Sequence, residues 1–203
     1  MRLKHSTSMD TGRLARMLSD AVAGWPHDGL DVTIRYSRSA DFSGSCYYND
    51  NQVRVNIGRH LEYPYRMETM IARPQSDRRH WWRELYSVEL RDAYHVALFV
   101  FLHEFYHWLV KRARRNVRQK EGRCDRFATR VLVDRYGATV RDSRGKPVPR
   151  ESWDFQDLDG FVAAAMRRRG KPRRRPSVSR GSPATPAISV PPDCGEQLLL
   201  FEF

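Results

Sequence analysis

The segment His103-Glu-Phe-Tyr-His107 places two imidazoles and a carboxylate within five consecutive residues. Residues at i and i+4 of an α-helix project from one face, so both imidazoles can reach a single metal ion while Glu104 stands beside it, where water would bind. The chemistry such a set performs is metal-assisted hydrolysis: zinc lowers the pKa of its water to about 7, and the neighbouring carboxylate takes the proton. At this His and Glu content, chance would produce the pattern in about one such chain in a hundred. The competing reading is a helix that packs two histidines against its core. The flanking runs Ala-Leu-Phe-Val-Phe-Leu and Trp-Leu-Val weigh against it, because they would bury the Glu104 carboxylate with nothing to pair it.

A catalytic zinc needs a third protein ligand and an open fourth position. The next helical stretch, Glu-Gly-Arg-Cys-Asp-Arg-Phe-Ala (121–128), sets Glu121 and Asp125 four residues apart on one face. With the preceding motif it resembles the zincin metallopeptidases of the glutamate-ligand (gluzincin) type. It is also similar to the Glu-x-x-Ala-Asn/Asp-x-Phe-Ala segment of the ImmA/IrrE-like peptidases. The resemblance implies a zincin-like domain binding Zn2+ through His103, His107 and Glu121. Glu104 would be the catalytic base and Asp125 would orient a ligand histidine. The match is strict only over 103–128, and fourteen positions from His107 to Glu121 is short for the class. A turn near Asn116 would bring Asp125 nearer the metal than Glu121, so Asp125 stands as the alternative ligand. Cys-Tyr-Tyr-Asn-Asp-Asn-Gln-Val-Arg-Val-Asn-Ile-Gly (46–58) resembles the cleft-lining strand of Spartan/SprT-type peptidases, whose third ligand is usually histidine. That implies substrate alignment by Val53 to Ile57, against the plainer reading of a half-buried strand. Tyr136 is the candidate for stabilising an oxyanion.

The elements that must hold these groups follow from the hydrophobic pattern. Ser8 or Asp10 caps a first helix with Leu14, Met17, Leu18 and Val22 on one face, ended by Gly24 and Pro26. Residues 31–37 alternate as a strand, and 45–50 with 52–58 read as a hairpin around Asn49, Asp50 and Asn51. Residues 72–80 read as a basic loop. A long helix is expected from near Ser87 through the histidine motif, another from 120 to 136 stopped by Gly137, and a last one from about 157 to 169. The expected fold class is α+β: a compact domain over 1–169 with a small antiparallel sheet packed on the active-site helix. Residues 170–196, rich in Arg, Pro, Ser and Gly, cannot offset their ordering entropy and read as a disordered basic linker.

Charge and tail supply the partners. The 36 Lys and Arg against 24 Asp and Glu give a net +12. Eight of the sixteen residues 111–126 and seven of the nine residues 167–175 are basic, which favours non-sequence-specific contact with DNA phosphates over a merely solvated face. Trp81 and Trp82 can stack on unpaired bases or belong to the core. The three cysteines, Cys46, Cys124 and Cys194, form no disulfide framework, and no apolar run approaches the length of a membrane span. A cytoplasmic, nucleoid-associated protein is the expectation. The tip Gln197-Leu198-Leu199-Leu200-Phe201 resembles the bacterial sliding-clamp-binding peptide, Gln-Leu-x-Leu-Phe. Gln197, Leu200 and Phe203 fit the archaeal and eukaryotic clamp-interaction box less completely. A terminal strand docking on the domain, or a degradation signal, would be the alternative. Taken together, the expectation is a zinc metalloendopeptidase acting on DNA-bound or replication-associated proteins, in the manner of Spartan-type crosslink repair, and tethered to the sliding clamp. An ImmA/IrrE-like protease that cleaves a repressor, or a non-enzymatic clamp adaptor with a structural zinc, are the competing functions.

Overall fold

The computed structural model describes residues 1–115 and 120–167. The clamp-peptide residues Gln197, Leu198, Leu200, Phe201 and Phe203, with the linker before them, lie outside the described residues, as does the turn position Asn116.

Strand β1 (Arg2–His5) leads into helix α1 (Thr11–Val22), whose first turn is closed by Asp10 accepting from Arg13 N at 2.6 Å. Leu14, Met17, Leu18, Ala21 and Val22 form its buried stripe. Then come β2 (Asp31–Tyr36), β3 (Phe42–Tyr47) and β4 (Gln52–Ile57). They form one four-stranded sheet in the order β1-β2-β4-β3, in which β1, β2 and β4 run parallel and β3 is antiparallel to β4. This corrects the expected antiparallel sheet. The sequence hairpin exists as β3–β4, with Asn51 at φ 49° in its connection, but α1 is a crossover that returns the chain parallel to β1. Val32, Ile34, Val53, Val55 and Ile57 alternate on the face turned to the core and are essentially inaccessible.

A second, antiparallel sheet of β5 (Tyr65–Thr69), β8 (Tyr86–Leu90) and β9 (Thr139–Arg141) is ordered β5-β8-β9. Between its first two strands the chain makes a small arm in which β6 (Gln75–Ser76) pairs with β7 (Trp81–Trp82). The expected start of the long helix at Ser87 is therefore wrong. Tyr86, Val88 and Leu90 alternate inward as a strand, and α2 (Ala93–Arg112) begins only after Asp92, whose side chain accepts from His95 N.

Helix α2 is the centre of the molecule. From His95 to Val110 every residue but His103 is buried, so the helix is apolar almost all round, with the first sheet on one side and α1 and α3 (Glu121–Tyr136) packed on others. Phe101 and Phe105 are fully inaccessible, and truncating either to alanine would cost about 3–5 kcal/mol. Helix α3 stops at Gly137 (φ 65°), with its N–H on Val133 O and Ala138 N on Leu132 O, the double closure that a left-handed glycine allows. A single 3-10 turn (Arg150–Ser152) and α4 (Leu158–Arg167) complete the described chain.

Candidate metal centre

Helices α2 and α3 pack so that the histidine face of one meets the first turn of the other. His103 Nε2 and His107 Nε2 stand 3.2 Å apart. Glu121 Oε2 lies 3.0 Å from the first and 3.4 Å from the second, and Glu121 Oε1 lies 3.3 Å from His107 Nε2. Three lone-pair-bearing atoms thus close a triangle. For tetrahedral zinc with bonds of about 2.0–2.1 Å, the ligand atoms should be about 3.3–3.4 Å from one another, close to what is found. Three acceptors at such separations repel unless a cation, a proton or a metal ion, lies among them.

The electrostatics agree. Burial alone would raise the Glu121 carboxyl, but hydrogen bonds with both histidines outweigh it and hold the group far below the usual carboxylate range. Burial opposes protonation of His103, yet Asp125 and Glu121 together raise its pKa well above the ordinary value. The site is built to hold positive charge. The His103 and Glu121 side chains keep 18% and 27% of their exposure, so neither is sealed from solvent.

Asp125, one turn further along α3, takes the other nitrogen of His103: Nδ1 donates to Oδ1 at 2.8 Å, while Oδ2 accepts from Met70 N at 2.7 Å. An aspartate so placed fixes the ring with Nε2 turned to the metal side. Asp125 thus lies against the ring nitrogen that faces away from His107 and Glu121. His107 Nδ1 has no such acceptor among the described residues. Cys124 is nearby too, its Sγ lying with the two imidazoles in a group whose ligand atoms are all within 4.8 Å of one another. Glu121 lies 3.0–3.4 Å from the two Nε2 atoms, and the thiol of the fully buried Cys124 is pushed well up by burial, against ionisation.

Glu104 is 8% exposed and hydrogen-bonds to no described residue. Burial raises its carboxyl above the normal range, the charges of His103 and His107 pull it down, and Glu121 pushes it up. Its side chain packs on the backbone of Gly44 in β3, where an added Cβ would come within 2.6 Å of Glu104 Cγ and 2.9 Å of Cδ. Sequence reasoning passed over Gly44; a glycine inside a strand, where it weakens the strand unless something approaches closely, was the available signal.

Two expectations fail here. Val53 to Ile57 belong to β4, which is hydrogen-bonded on both sides, to β2 and β3, and so has no edge to offer a substrate. Among the described residues this sheet leaves the outer edges of β1 and β3 unpaired, and β3 is the edge strand that packs beside α2. Tyr136 closes the far end of α3, fifteen residues or about 22 Å from Glu121, with its hydroxyl directed at Met17 O. It cannot meet an oxyanion at this site. No described helix is long and apolar enough to cross a membrane. No family model, curated protein or solved structure matches the chain.

Proposed function

We propose that the protein is a zinc-dependent metalloendopeptidase of the zincin type, acting on proteins associated with DNA. The observation that carries the reading is the triangle of His103 Nε2, His107 Nε2 and Glu121 Oε2, with Asp125 behind His103 and a buried, unpartnered Glu104 alongside. A divalent ion bound there would supply Lewis acidity, activating water and polarising a peptide carbonyl. Glu104, its pKa raised by burial, is suited to take the proton from the attacking water and then give it to the departing amine. An extended peptide adding to the free edge of β3 would run beside Gly44 and hence beside Glu104. The net charge of +12 supports a polyanionic setting. The terminal Gln-Leu-Leu-Leu-Phe supports sliding-clamp recruitment, a tether that would raise local concentration at replicating DNA.

The test is Glu104→Gln. The variant should retain about one zinc per chain while losing digestion of casein or histone by a factor of about 10² or more. Wild-type turnover in that variant overturns the assignment. The clamp part is tested separately by pull-down with Gln197→Ala, Leu200→Ala and Phe201→Ala combined, where equal recovery removes the replication link.

The position of Cys124 favours one second reading, a structural zinc closed by four protein ligands in a non-enzymatic adaptor. Zinc content with no turnover in the wild type would select it.

A further inference from the structure

Four of the six large hydrophobic side chains exposed among the described residues belong to one short piece of chain: Met70, Trp81, Trp82 and Leu85. Trp81 is 65% exposed, the most of the six. Indole rings left in water are costly and call for a partner. The same segment carries Arg73, Arg78, Arg79 and Arg83. The two acids of the same segment are engaged, Asp77 by the backbone N–H groups of Arg79 and His80, Glu84 by the Tyr86 hydroxyl.

The two tryptophans are consecutive in β7 and point to opposite faces of the arm. Trp81 shares its face with Arg83, whose guanidinium lies 5.5 Å from the indole centroid. That face is tied to the first turn of α3. Arg83 Nη1 donates to Met70 O at 2.5 Å, Arg126 Nη1 donates to Ile71 O at 3.2 Å, and Gly122 is notched so closely that a Cβ would stand 2.6 Å from Met70 O and 2.8 Å from Arg83 Nη1.

A second observation points to an anion at the same place. Arg126 is 4% exposed, and its Nε, with Arg83 Nε and Arg123 Nη1, finds no acceptor among the described residues. Burial, and then the like charges of Arg83 and Arg123, push the Arg126 guanidinium down to about 10. The nearest carboxylates are committed elsewhere, Asp125 to His103 and Met70 N, Asp154 to Arg150. Arg83 and Arg126, whose guanidinium groups meet over Gly122 without a free counter-charge beside an exposed indole, match one ligand chemistry: an unpaired base for the ring and a phosphodiester for the guanidinium charge. Duplex DNA presents phosphates but keeps the faces of its bases stacked away.

We propose that the Met70–Leu85 arm, with the first turn of α3, binds single-stranded nucleic acid, stacking one base on Trp81 and placing the adjoining phosphate at Arg83. This names the partner of the nucleic-acid setting proposed above. Because Asp125 holds both Met70 N and His103 Nδ1, and Arg83 holds Met70 O, Arg83 would lie three hydrogen bonds from the His103 ring.

The experiment titrates the full chain into fluorescein-labelled oligothymidylate, a duplex of equal length, and polyglutamate, reading anisotropy and intrinsic tryptophan quenching over a salt series. Trp81→Ala should weaken binding to the single strand by about tenfold and remove part of the quench, Trp81→Phe should restore most of the affinity, and Trp82→Ala should cost less than about twofold. Affinity unchanged in Trp81→Ala overturns the proposal. So does a duplex or polyglutamate bound as tightly with the same dependence on Trp81. Glu104→Gln should bind the oligonucleotide like wild type. Binding without proteolysis therefore sinks the peptidase reading alone, and proteolysis without Trp81-dependent binding sinks this one alone.

Discussion

Replacing Gly44 by alanine tests whether the edge strand and the general base form one device. A methyl at this position would stand 2.6 Å from Glu104 Cγ and 2.9 Å from Cδ, where carbon atoms in contact prefer about 3.5–4.0 Å. Either the carboxylate or β3 must shift by about 1 Å. The strand is hydrogen-bonded to β4 along six residue pairs, whereas Glu104 is held by no described hydrogen bond, so the side chain is the part that gives. A displacement of that size is worth about 10²-fold in turnover, and the overpacking about 1–3 kcal/mol in stability. The His103, His107 and Glu121 atoms are untouched, so zinc content should stay at wild type. Turnover on casein, metal content by mass spectrometry and thermal melting separate the three effects. A decisive arm is the double variant: with Glu104→Gln already present, Gly44→Ala should cost no further activity, because both remove the same function. A Gly44→Ala protein with wild-type turnover, or a second, additive loss in the Glu104→Gln background, would refute the link.

Asp125→Ala removes an acceptor from both His103 Nδ1 and Met70 N; zinc affinity measured by competition with a chromophoric chelator should fall by about 10–100-fold. Stripping the metal should lower the melting temperature, since a ligand at about a thousandfold over its Kd stabilises by about 4 kcal/mol, worth about 10 °C for a domain of this size; re-added zinc should restore it, and calcium, an oxygen-ligand ion, should not. Cys124→Ala should leave one zinc per chain and unchanged turnover. Loss of the metal in that variant would make Cys124 a ligand and the site a closed one.

The candidate metal centre was legible because its parts lie on helices, where spacing fixes direction. His103 and His107 at i and i+4, and Glu121 and Asp125 at i and i+4, each define a face from sequence alone. What spacing could not say was which carboxylate meets the two Nε2 atoms. That depends on how far α3 slides along α2, and the packing places Glu121 over the Nε2 atoms and Asp125 over Nδ1. The sheet was read less well. β1 (Arg-Leu-Lys-His) and β5 (Tyr-Arg-Met-Glu-Thr) are edge strands whose polar side chains face water, so neither stands out as an apolar run. Missing β1 hid the parallel crossover and with it the interior position of β4. The boundary at Ser87 failed because Tyr-Ser-Val-Glu-Leu merges into the apolar helix behind it; Asp92, three residues before its capped partner His95, was the stop signal overlooked.

Placing the arm and the metal on the same turn of α3 has a consequence for how the protein would be controlled. Glu121, Gly122, Asp125 and Arg126 are four of six consecutive residues: Glu121 faces the two imidazoles, Gly122 and Arg126 pack on the arm, and Asp125 bonds both. Any force that draws Met70 away from Asp125 leaves that carboxylate free to turn, and His103 then loses the contact that fixes its ring. A strand that instead clamps Arg83 down on Gly122 tightens the same contact. Since a ligand can bias a site only through a difference in how it binds two arrangements, the Met70–Asp125 bond is the element through which an occupied arm would favour or disfavour a competent metal centre. Zinc affinity measured with and without oligothymidylate gives the coupling directly, and by linkage the oligonucleotide's affinity must change by the same factor when zinc is added. In Asp125→Ala, where the bridge is gone, the two affinities should become independent; a coupling that survives that change would have to run by another route.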